Sequence, residues 1–138
     1  MPEYSRSVVN TRLAPRPIGA YSQAVRTTGG GLMFIAGQVA LDLDGNLVGE
    51  GDPAAQTRQV FENIRQILAS QGATMSNVVE FTSYVVRRGS VEGYLQGRSA
   101  VFPGLFPRGD YPPNTLLVID GLVREEFLVE ISAVVGLP

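Results

Sequence analysis

Residues 52–86 read DPAAQTRQVFENIRQILASQGATMSNVVEFTSYVV, and this stretch decides the fold class. Asp52 offers a carboxylate to the free N–H groups of a first helical turn, and Pro53 suits the first helical position. Val60, Ile64, Ile67 and Leu68 then recur at helical spacing, with Phe61 beside them, and form one apolar face. Arg58, Glu62 and Arg65 fall on the opposite face and read as solvated. Gly72 predicts the stop, because glycine accepts the left-handed conformation that ends many helices. Val78–Val86 follows as a β-rich run around Thr82 and Tyr84 and predicts a strand.

Towards the C-terminus, Ser90 reads as the cap of a second helix. Val91, Tyr94, Leu95, Arg98, Val101 and Phe102 are spaced roughly helically, and Pro103-Gly104 predicts its end. Thr115 to Ile119 and Phe127 to Val135 read as two final strands, joined through Asp120-Gly121 and Arg124-Glu125-Glu126. Towards the N-terminus, Leu32 to Ala36 reads as a buried strand and Ala20 to Val25 as a short one. The Gly29-Gly30-Gly31 turn separates them, and Asp42 to Asn46 reads as a second turn. These pieces suggest a hairpin or meander, preceded by about twenty irregular residues that contain Pro15 and Pro17. The order strands, helix, strand, helix, two strands predicts one α+β domain over residues 1–138, its two helices packed on one face of a mixed sheet. The other face then needs a cover, and a second subunit is the expected one.

Composition removes many chemistries. The chain has 138 residues, a net charge of −2 and a pI near 5.1, which is not the basic footprint of a nucleic-acid binder. It has no Cys and no His, and all 11 basic residues are Arg. Thiolate catalysis, an imidazole relay and a Schiff-base lysine are therefore excluded, and a zinc enzyme is not expected. Proton transfer is left to Asp, Glu, Tyr, the termini and water, and anions to Arg, backbone N–H groups or hydroxyls. No cofactor is implied. The first residues lack the apolar core of a signal peptide, and no stretch approaches a membrane span, so a cytoplasmic protein without membrane contact is expected.

Five segments in register resemble the YjgF/RidA family. Ile18-Gly19-Ala20-Tyr21-Ser22-Gln23-Ala24-Val25 is similar to its early IGPYSQAV-type motif, and Phe34-Ile35-Ala36-Gly37-Gln38-Val39 to its SGQ strand. Gln56 to Ile64 resembles the first helix, Val78 to Val85 the central strand, and Val129-Glu130-Ile131-Ser132-Ala133-Val134 the closing VEIEAVA strand. The resemblance implies a chorismate-mutase-like α+β fold. It also implies a homotrimer with a barrel-like core and a small-molecule ligand in each intersubunit cleft. The activity it implies is hydrolysis of reactive enamines and imines, such as 2-aminoacrylate, to a keto acid and ammonia.

The same resemblance assigns roles. Glu130 matches the glutamate linked to positioning the attacking water. Tyr21 matches a tyrosine lining the cleft, and Gly37 a glycine whose backbone approaches the ligand. The family's carboxylate-binding arginine, in a PAR[ST] motif, corresponds to Asn114 in Tyr111-Pro112-Pro113-Asn114-Thr115. A guanidinium grips a carboxylate with two parallel charged hydrogen bonds; an amide carries no charge. The second glutamate of the closing motif is Ser132.

Each residue also has an ordinary structural reading. Glu130 shares a strand face with Ser132, and from position alone a solvated face or an interface ion pair is the commoner explanation; the resemblance shifts the weight to catalysis. Asn114 and Thr115 fit a polar ligand clamp as well as turn chemistry after two prolines. Tyr21 also fits a core or interface tyrosine. Gly29-Gly30-Gly31 precedes a strand, not a helix, and so reads as a turn rather than a phosphate loop. Arg87, Arg88 and Arg108 are the remaining candidate anion holders, each more often a solvated loop charge. Two function classes follow: a hydrolase or deaminase resting on Glu130, and a non-catalytic ligand-binding or regulatory trimer resting on Asn114. A ribonuclease is disfavoured by the acidic pI and the absence of His and Lys.

Overall fold

In the computed structural model, which describes residues 3–138, six strands and two α-helices alternate as β1 (Ser5–Val9), β2 (Ala24–Thr28), β3 (Gly31–Gln38), α1 (Pro53–Ser70), β4 (Val78–Val86), α2 (Val91–Leu105), β5 (Asn114–Ile119) and β6 (Val129–Leu137). β1 and β2 pair as a separate antiparallel ribbon, while the main sheet has the order β3-β6-β4-β5. β4 and β5 run parallel, so α2 is the crossover between them; the other pairs are antiparallel.

α1 starts where the sequence predicts: the Asp52 carboxylate accepts from the Ala55 N–H at 3.1 Å. Gly72 follows the helix at φ +68°, and the Asp42 carboxylate accepts from the Asp44 and Asn46 N–H groups to build the expected turn. Val60, Phe61, Ile64 and Leu68 are buried against Phe81, Val85, Ile131 and Ala133 of the sheet. Phe61 meets Phe81 and Phe102 edge to face, with centroids 5.5 and 5.1 Å apart. The helices cross closely because α2 lacks a side chain at the contact. A Cβ on Gly97 would stand 2.6 Å from the Ala54 carbonyl oxygen.

Five local expectations change. The short strand expected over Ala20 to Val25 starts only at Ala24 and runs on to Thr28 as β2. The first twenty residues are not wholly irregular: Ser5–Val9 forms β1, held by pairing with β2 and by Arg6, whose Nε donates to the Val78 carbonyl at 2.8 Å. Burial of that guanidinium lowers its pKa. Ser90 does not cap α2, because a short 3-10 turn over Arg88–Ser90 leads into the helix and already places Ser90 in a helical conformation. α2 also runs past Pro103 to Leu105, its last turn closed by the Phe106 N–H donating to the Phe102 carbonyl. Finally, β3 is buried on one side only. Ile35 is in the core, but Phe34 is 72% exposed and Leu32 57%. Both helices cover one sheet face and leave the other open.

Candidate functional site

The strand period sorts the predicted site residues onto two faces. On the open face, Glu130 of β6 lies opposite Tyr84 of β4, which lies beside Leu117 of β5. The neighbouring row is Ser132, Thr82 and Thr115, three hydroxyls side by side across three strands. An irregularity between Ile35 and Gln38 brings the end of β3 against this corner. There the Glu130 side chain packs over Gly37, and a Cβ at residue 37 would stand 2.6 Å from the Glu130 carboxyl carbon. With a side chain at residue 37 the carboxylate would have to shift from this seat. Among the described residues the Glu130 carboxylate has no hydrogen-bond partner, so its lone pairs are available to water or ligand.

Asn114 points the other way, towards α2. Its Oδ1 accepts from the Ser83 hydroxyl at 2.8 Å, and its Nδ2 donates to the Tyr94 hydroxyl at 3.2 Å. The Tyr94 hydroxyl donates to Ser83 at 2.9 Å, which closes a ring of three hydrogen bonds. Ser83 and Tyr94 are fully buried. Asn114 and Thr115 are consecutive in β5 and point to opposite faces, so within one chain they do not form a single clamp.

Tyr21 joins Asn114's side of the molecule. The Ser22 N–H reaches the Pro112 carbonyl at 3.4 Å, which ties the Tyr21 loop to the segment leading into β5. The Tyr21 hydroxyl accepts from the Ile18 N–H at 3.2 Å. Beside it lies Arg98 of α2: the Cβ position of Gly19 is 3.6 Å from one Arg98 Nη and 3.7 Å from the Tyr21 ring. Arg98 is only 8% exposed, and its guanidinium carbon stands 5.5 Å from the Tyr94 ring centroid and 5.6 Å from that of Phe102. One corner therefore gathers Tyr21, Asn114, Ser83, Tyr94 and Arg98. The other gathers Glu130, Gly37 and the hydroxyl row.

Sequence reasoning did not single out Ser83, Tyr94 or Arg98 as site residues. The signal for Arg98 was present: a cation stands in line with the apolar positions of α2. Arg87, Arg88 and Arg108 are exposed. Gly29 and Gly30, at φ +70° and +61°, make the turn between β2 and β3 and no phosphate loop. A groove of about 700 Å³ runs between Gly37–Leu43 and the exposed side of α1; it includes neither Glu130 nor Asn114. Glu62 on its wall pairs with Arg65 at 2.7 Å. The hydrogen bonds from Arg65 and Gln66 lower its pKa to about 2. This pair is exposed on both sides and reads as helix-surface chemistry.

Among the described residues no helix is long and apolar enough to cross a membrane. The family model described as Endoribonuclease L-PSP matches residues 11–136. A RutC family protein of Pyrococcus abyssi is 41% identical over 94% of this chain and 96% of its own. A 2-iminobutanoate/2-iminopropanoate deaminase of Dermatophagoides farinae is 27% identical over 86% of this chain and 95% of its own. The crystal structure of YyfB from Yersinia pestis, a Rid protein family member, superimposes with a TM-score of 0.85 at 32% identity, covering 96% of this chain and 98% of that one.

Proposed function

The chain belongs to the endoribonuclease L-PSP family, which takes in the YjgF/RidA proteins, and from that premise we propose that it hydrolyses a small enamine or imine metabolite in a cleft completed by a second copy. The observation that carries this reading is the seat of Glu130: an unpartnered carboxylate laid over a side-chain-free Gly37, on a sheet face that the helices leave open. A carboxylate so placed can orient water and take its proton as the water attacks the imine carbon. The Ser132, Thr82 and Thr115 hydroxyls offer further hydrogen bonds on the same face. Copies of the chain would cover that face, as a homotrimer working in the cytoplasm, and bring the Glu130 corner of one protomer to the Tyr21 corner of another. The deaminase name carried by one relative favours the same chemistry.

A second reading rests on Asn114. Its amide is held in the ring with Ser83 and Tyr94 and brings no charge to a carboxylate, which favours a ligand-binding protein without the reaction. Neither reading calls for a nucleic acid.

Ammonia release from enzymatically generated 2-aminoacrylate separates the two. The hydrolase reading expects release well above the buffer rate, falling about 100-fold or more in Glu130→Gln. Release at the buffer rate by the unaltered protein excludes this substrate and favours the binding reading.

A further inference from the structure

Arg98 presents a physical problem that the fold itself does not solve. Arg98 is more than nine-tenths buried, and its Nε is enclosed without a hydrogen-bond partner among the described residues. The one ion pair among them joins Arg65 to Glu62, so among the described residues no carboxylate pairs with Arg98. The Tyr94 and Phe102 rings supply cation–π attraction, but they accept no hydrogen bond in the plane of the fork. A buried charge left without a counter-ion is among the costlier arrangements a protein can hold. Gly19 lies beside it: a Cβ there would stand 3.6 Å from one Arg98 Nη and 3.7 Å from the Tyr21 ring, in ordinary contact with both.

We infer that Arg98 is the cation of a binding site for a small monocarboxylate, bordered by Gly19, Tyr21 and Tyr94. This assignment rests on the small-metabolite reading of the cleft and names the charge that holds the ligand there. The planar fork matches a carboxylate with two parallel hydrogen bonds. A single guanidinium balances one negative charge, which suits a carboxylate and falls short for a phosphate dianion. Arg98 also connects to Asn114, the position at which the resemblance places the family's arginine. Tyr94 stacks under the guanidinium and accepts from Asn114, so the cation comes from α2 beside the start of β5 instead of from β5 itself.

The test uses the full chain, with pyruvate as probe, pyruvamide as its neutral counterpart and inorganic phosphate as a competing anion. Calorimetry should show pyruvate binding, and pyruvate should shift the Arg98 Nε–Hε resonance; pyruvamide should do neither. Arg98→Met should weaken pyruvate at least tenfold, with Arg98→Lys in between. Unchanged affinity in Arg98→Met, a still Arg98 resonance in the unaltered protein, or a stronger response to phosphate than to pyruvate overturns the assignment. The resonance needs no variant, so it decides even if Arg98→Met fails to fold. Ammonia release that persists in Arg98→Met removes the Arg98 site and leaves the hydrolase reading. Arg98-dependent pyruvate binding without any ammonia release removes the hydrolase reading and leaves the site.

Discussion

Both ends of the Asn114 amide are bonded, its oxygen to Ser83 and its nitrogen to Tyr94. Asn114→Ala leaves those two hydroxyls each one partner short inside the core, and a buried polar group deprived of its partner costs about 1–3 kcal/mol. Urea titration should find the loss in that range, with an unchanged slope. Asn114→Arg meets the same obstacle, because the longer side chain cannot sit in the ring. Asn114 itself was singled out in the sequence, because Pro112-Pro113-Asn114-Thr115 resembles the family's PAR[ST] motif. What surrounds Asn114 was not legible. Ser83, Tyr94 and Arg98 lie 31, 20 and 16 residues before Asn114, and only the folded crossover of α2 brings them together.

Elements whose signals are local were readable, and elements held by distant partners were not. α1 has its cap, its apolar stripe and its stop within its own residues, and β4 was read to the residue, Val78–Val86. Asp52→Ala removes the bond to the Ala55 N–H and should lower stability by about 1 kcal/mol. Far-ultraviolet circular dichroism through thermal unfolding would register it as a lower Tm with native helix content. β1 has no such internal pattern. Ser5, Arg6 and Ser7 give it no apolar run, and it exists because β2 pairs with it and Arg6 reaches the Val78 carbonyl. The start of α2 was misread for a related reason: Ser90 is a good capping residue, but the preceding 3-10 turn has already used its backbone. Glu130 and Gly37 were both named from the sequence. Their contact depends on the irregularity at the end of β3, which no local pattern announces.

At the scale of the molecule, two helices cannot cover both faces of a four-stranded sheet, and the uncovered face carries large apolar side chains. Phe34 and Leu32 on β3 and Leu117 on β5 are exposed there, interleaved with Glu130, Ser132 and Thr82. Apolar surface gathered on one face favours association, and the polar residues among it set what the interface encloses. The site argument requires the same association, since Glu130 and Arg98 lie on opposite sides of the sheet and one chain cannot aim both at one ligand. Multi-angle light scattering should therefore show an oligomer for the unaltered chain. Phe34→Glu should shift it towards the monomer, because a carboxylate buried in the joined face would lose its water without gaining a partner. Leu43 is equally apolar and fully exposed, but it sits in the Asp42–Asn46 turn and not on a strand of the sheet, so Leu43→Glu should leave the mass unchanged. If assembly completes the site, Phe34→Glu should also lose pyruvate binding and ammonia release together, while Leu43→Glu keeps both; a monomer that retained full binding would place the whole site within a single chain.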